Sequence, residues 1–117
     1  MSEKIYDKTF TEAGASLEAY ADFVAIVRQL RRDCPWDKVQ THESVKHLLI
    51  EEAYETVEAI DDEDWTQLRK ELGDILLHVV FHSVMAAETG AFTLQDVIDS
   101  ETEKLVRRHP HVFGDVT

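Results

Sequence analysis

Ile75, Leu76, Leu77, Val79, Val80, Phe81, Val84 and Met85 follow one another so closely that a helix built from them has no clean polar face. Such a helix must be covered on every side, and one domain of 117 residues has few elements to do so. The pattern therefore predicts a helix packed across a homodimer interface. No stretch alternates convincingly with period two, so the expected fold class is all-α, a bundle of four main helices.

The first helix is expected over about 16–32, with Leu17, Tyr20, Val24, Val27 and Leu30 on one stripe and Ser16 as N-cap. Pro35 stops it. The second is expected over about 42–60 behind Thr41, and the acidic turn 61–64 follows. The third starts after Asp64, which with Gln67 resembles a capping box, and runs to about Thr89, where Gly90 suits a left-handed cap. The fourth follows Thr93 and runs to about Arg108, before His109-Pro110. Residues 1–15 show no period and read as a flexible tail, leaving 16–117 as a single domain.

Composition limits the function classes. Twelve basic against 24 acidic residues give a formal charge of −12, which argues against a nucleic-acid polymer as partner. A small anion can still be bound if a cation mediates. The longest apolar stretch, 75–81, is far too short to span a bilayer. A lone Cys34 and a polar N-terminus without a signal core fit a cytoplasmic protein.

The second and third helices carry carboxylates where apolar residues belong. At about 100° per residue, Val45, Leu48, Leu49, Ala59 and Ile60 span an arc of roughly 120°. Glu52 falls near its middle and Glu55 at its edge, whereas Glu51 and Glu58 point away. On the third helix, Glu71 and Asp74 precede the apolar run, and Asp74 shares a sector with Phe81 and Met85. Each pair is spaced i, i+3, so its members are neighbours on the helix surface. Fifteen residues separate Glu55 from Glu71, enough for two adjacent antiparallel helices. Four carboxylates would then meet, and would repel unless protonated, paired with Lys or Arg, or bridged by a divalent cation. All-oxygen ligation favours Mg²⁺ or Mn²⁺. The remaining acids of 51–64 read as a solvated face. Gly73 between Glu71 and Asp74 reads either as room for a close approach or as a tolerated defect.

These residues resemble a known family. Glu51-Glu52-Ala53-Tyr54-Glu55 and Glu71-Leu72-Gly73-Asp74 are similar to the EExxE…ExxD signature of the MazG nucleoside triphosphate pyrophosphohydrolases. Cys34-Pro35-Trp36-Asp37-Lys38 with Gln40-Thr41, and the segment from Lys104 to Phe113, resemble two further motifs of that family, and the likeness covers about residues 17–115. The resemblance implies an all-α fold, homodimers or larger assemblies, and Mg²⁺-dependent hydrolysis of a nucleoside triphosphate to monophosphate and pyrophosphate. It also implies Glu52, Glu55, Glu71 and Asp74 as metal ligands and Lys104 and Arg108 as triphosphate contacts. Lys104 and Arg108 share a helix face with Glu101 and Val97, which fits that role, although a basic last turn also suits the helix dipole.

On this reading water attacks the α-phosphorus, and a carboxylate, Glu55 or alternatively Glu51, takes its proton. Trp36 and Trp65 read either as core residues or as base-stacking surfaces, Trp36 being the better candidate for a nucleotide contact, and Lys38 reads as a phosphate contact or as a merely exposed loop lysine. The alternatives are a phosphoribosyl-ATP or deoxynucleotide-specific pyrophosphohydrolase of the same superfamily, and a catalytically silent helical interaction protein. His78 and His82 have the i, i+4 spacing of a zinc pair but read as core or supporting histidines, and Cys34 reads as packing.

Overall fold

The computed structural model describes residues 17–114. Ser16, the 1–15 tail and residues 115–117 lie outside the described residues. Four long helices follow in order: α1 Leu17–Asp33, α2 His42–Asp61, α3 Trp65–Glu88 and α4 Leu94–Arg108. Two short elements went unread in the sequence, a 3-10 turn at Asp37–Val39 and α5 at Pro110–Phe113. Each is about one turn long, too short to show a period.

The helix ends follow from local chemistry. Thr41 caps α2 and Thr93 caps α4, each in a reciprocal capping box closed by Ser44 and Asp96. Asp64 caps α3 by accepting from the Gln67 N–H at 3.1 Å. Both ends of the α3 segment are bounded by the same turn. After α2, the Asp64 N–H donates to the Ala59 carbonyl and Glu63 to Ile60; after α3, Ala91 donates to Ala86 and Gly90 to Ala87. Gly90 occupies the left-handed position at φ 74°, whereas the earlier turn places Glu63 there at φ 53°.

α2 and α3 run antiparallel, with His42 beside His82 at one end of the pair and Glu52 beside Glu71 further along. The core lies where α1 crosses the C-terminal half of α3. It consists of Val27, Val45, Val80, Phe81 and Met85, with Phe23, Val24, Val84 and Leu94 packed against it. Burial of a side chain such as Val80 or Phe81 contributes about 1.5–3 kcal/mol. Arg31 locks this end. It donates through Nε and Nη2 to both oxygens of Glu88, and through Nη1 to the Asp37 and Gln40 carbonyls. The α1–α2 connection is thereby tied to α1 and α3.

α3 is not buried on all sides within the chain, as its pattern suggested. Leu72, Leu76, Leu77 and Val79 remain exposed, because the core that α1 makes with α3 runs along Val80, Phe81, Val84 and Met85 and covers neither the N-terminal half of α3 nor its outer face. Ile50, Tyr54 and Val57 form a second exposed apolar stripe on α2. Among the described residues no helix is long and apolar enough to cross a membrane.

Candidate active site

Away from that core, the α2–α3 pair brings acids together. One oxygen each of Glu52, Glu55 and Glu71 lie within 4.8 Å of one another. Antiparallel packing sets this: Glu52 and Glu55 lie in the C-terminal half of α2, and Glu71 lies two turns into α3. Glu71 is only 6% exposed, Glu52 is half-buried and Glu55 is exposed. Asp74, one turn beyond Glu71, stands beside this trio rather than within it, and is exposed. Its shared sector with Phe81 and Met85 does not bury it, because α1 does not reach that level of α3.

The electrostatics are those of an uncompensated cluster. Burial, a hydrogen bond with Glu71 and the charges of Asp74, Glu55 and Glu71 push the Glu52 carboxyl up to about 7. Glu55 is also raised, first by the charge of Glu71. Glu71 is lowered, first by donation from the Gln67 amide to its Oε2 at 3.0 Å, then by hydrogen bonds from its carboxyl neighbours. Among the described residues no lysine or arginine figures among the groups acting on these three acids. Glu52 Oε2 is buried and has no hydrogen-bond partner. A buried carboxylate oxygen without a donor, on a residue that meets two other carboxylates, fits a site that takes a hard divalent cation. Beside it lies an open cleft of roughly 320 Å³, lined by Glu55, Glu58, Asp62, Asp64, Gln67 and Glu71.

The other candidates are dispersed. Trp36 is 76% exposed and Trp65 is also exposed, so neither is a core residue of the single chain. Lys38 is exposed in the 3-10 turn that Arg31 holds. Lys104 pairs with Glu101 at 2.8 Å on α4. Among the described elements α4 packs against α3 and α5, and neither Lys104 nor Arg108 acts on the three carboxylates, so within one chain they are not seated where an anionic substrate would require them. Glu51 and Glu58 are exposed, as their angular positions required. A Cβ at Gly73 would meet nothing within 4 Å, so that glycine serves no close approach within the chain.

His82 stacks on His42, their Nδ1 atoms 2.7 Å apart, and also on His78. Among the described residues these histidines join no three-ligand group. Cys34 is free and half-buried, and its N–H closes α1 on the Leu30 carbonyl. Gln67 and Arg31 escaped the sequence reading. The only signal for Gln67 was its place three residues after Asp64, which suggested a cap.

The MazG nucleotide pyrophosphohydrolase domain family matches residues 40–113. The chain is 55% identical over 106 residues to the nucleoside triphosphate pyrophosphohydrolase/pyrophosphatase MazG of Thermotoga maritima, covering 89% of this chain and 40% of that protein. It is 46% identical over 95 residues to the nucleoside triphosphate pyrophosphohydrolase of Escherichia coli K12, covering 79% and 36%. To the uncharacterized protein YabN of Bacillus subtilis it is 47% identical over 114 residues, covering 96% and 23%. The chain thus spans less than half the length of each of these relatives.

Proposed function

This chain belongs to the MazG nucleotide pyrophosphohydrolase family, and from that premise we propose that it hydrolyses a nucleoside triphosphate to the monophosphate and pyrophosphate with Mg²⁺, or Mn²⁺ in its place. The observation that carries the proposal is the meeting of Glu52, Glu55 and Glu71, with no counter-cation among the described residues and with Glu52 Oε2 buried and unpartnered there. Glu52, Glu55, Glu71 and Asp74 are the proposed metal ligands. The bound ion supplies charge neutralisation at the phosphate oxygens and acidifies water.

Glu55 acts as general base. It is the most exposed of the three converging acids, and its raised affinity for a proton suits it to accept one from the attacking water. Attack on the α-phosphorus forms a P–O bond in line with the breaking bond to the bridging oxygen. Pyrophosphate departs with that oxygen. Lys104 and Arg108 offset its charge, Lys38 meets a phosphate oxygen and Trp36 offers a ring face to the base.

The working unit is a homodimer. A second copy covers the apolar stripes of Leu72, Leu76 and Val79 and of Ile50, Tyr54 and Val57. Its α4 brings Lys104 and Arg108 over the carboxylates. Mixing inactive Glu71→Gln and Lys104→Ala chains should then restore part of the activity. The direct test is a screen for pyrophosphate release across common and damaged nucleotides, with and without Mg²⁺. Metal-dependent release from at least one nucleotide supports the reading. No release from any, together with no stabilisation by Mg²⁺, favours a silent interaction domain.

A further inference from the structure

Gln67 is at the third position of α3, and in a capping box its side chain would return to the N-cap backbone N–H. Both other capped helices do this, Ser44 reaching the Thr41 N–H at 2.8 Å and Asp96 the Thr93 N–H at 2.9 Å. At α3 that partner is already taken. The Asp64 N–H donates to the Ala59 carbonyl at 3.0 Å, because the turn closing α2 uses it. The Gln67 side chain is therefore released from the cap. It reaches forward one turn and donates from Nε2 to Glu71 Oε2 at 3.0 Å.

We propose that Gln67 is a positioning residue for the divalent-cation site, holding the Glu71 carboxylate in the plane a ligand needs. The inference rests on the metal reading of the carboxylate cluster. Glu71 is the buried member of that cluster, and its charge acts on Glu52 and Glu55 of α2. With all three ionised, as a ligand set requires, the Gln67 amide is the donor that opposes their repulsion and keeps the Glu71 carboxylate turned toward them. A neutral amide is the appropriate donor. It orients the oxygen and stabilises the ionised form, yet adds no positive charge to compete with the ion. Gln67 also lines the cleft beside the acids.

The test is calorimetric titration of the nucleotide-free protein with Mn²⁺, using wild type, Gln67→Met and Gln67→Ala. Methionine keeps the length and helix preference of glutamine but donates nothing. The cap survives in both variants because Asp64 uses the main-chain N–H of position 67. Affinity is expected to fall about 10- to 100-fold in both variants, the usual effect of losing a group that orients a metal ligand. Their melting temperatures in EDTA should stay within about 3 °C of wild type. Wild-type affinity in Gln67→Met overturns the positioning role, even if Gln67→Ala binds more weakly, since bulk rather than donation would then matter. A wild-type protein that takes up no Mn²⁺ overturns the metal reading, and this inference with it.

Discussion

The two halves of α3 handle carboxylate charge in opposite ways. Near its C-terminus, Glu88 receives both arms of the Arg31 guanidinium and is held below the usual carboxylate range by that pairing. Near its N-terminus, Glu71 meets two further carboxylates, and Glu52 is driven up to about 7. One helix thus carries a closed ion pair that ties the fold and an open cluster that works against it. The contrast teaches that the open cluster is not a failure of the sequence to supply cations. The chain places an arginine well where it needs one, and the other end is where we propose that a divalent ion binds.

The strongest way to break the comparison is Glu71→Gln. Turnover should fall about 100-fold or more, beyond what loss of a merely orienting group costs, while the helical circular dichroism persists. Near-normal pyrophosphate release would remove Glu71 from the site.

Arg31→Ala attacks the other end. It removes the Arg31 donor from the Gln40 carbonyl and from Glu88, and leaves the Asp37 carbonyl with only the Gln40 N–H at 3.3 Å. The Arg31 side chain is 16% exposed but Glu88 45%, so solvent screens the ion pair and most of the loss comes from the carbonyls. We expect a loss of about 2 kcal/mol, seen as a drop of roughly 10 °C in melting temperature, with Mn²⁺ affinity unchanged. A loss of metal affinity as large as that of Gln67→Ala would show that the two ends are not separate.

The pH dependence of the metal-free protein sharpens the contrast. The Glu52 carboxyl titrates near 7 when folded, above its ordinary 4.5. Its contribution to stability is therefore complete below 4.5 and lost as pH rises through 7. His82 has the opposite sign. Burial, with the charges of His42 and His78, lowers it from 6.5, so its contribution is lost as pH falls through 6.5 and below. Melting in EDTA should gain a few degrees between about pH 8 and about pH 7, and saturating Mg²⁺ should raise the curve and flatten that slope. A metal-free slope of the reverse sign would contradict the charge balance assigned to Glu52.

The smallest expected effect concerns the turns that bound α3. Glu63→Gly should stabilise by about 0.5–1 kcal/mol in thermal melts, because Glu63 occupies the left-handed conformation that Gly90 adopts at the other turn. A destabilised variant would mean that the Glu63 side chain contributes more than its backbone strain costs.

Local rules made the helices legible. Thr41, Asp64 and Thr93 announce helix starts, and Gly90 an end, through contacts within a few residues. The acidic seam was legible because Glu52 falls near the middle of the apolar arc of α2 and because Glu71 and Asp74 stand at the start of an otherwise apolar α3; the sector Asp74 shares with Phe81 and Met85 did not foretell its exposure. Arg31 was not legible, since Glu88 is 57 residues away in sequence and its other partners are carbonyls with no side-chain signature. Gln67 was misread as half of a capping box because its competitor for the Asp64 N–H is a carbonyl of the preceding helix. The exposure of Trp36, Trp65 and the outer stripe of α3 could not be read from period, which reports a face but not what covers it.

A crystal soaked in Mn²⁺ and measured for anomalous scattering tests the central claim most directly. The account predicts a peak within bonding distance of Glu52, Glu55 and Glu71. Carboxylates that stay in contact in the soaked crystal with no peak between them, or that turn apart to basic side chains, would contradict it.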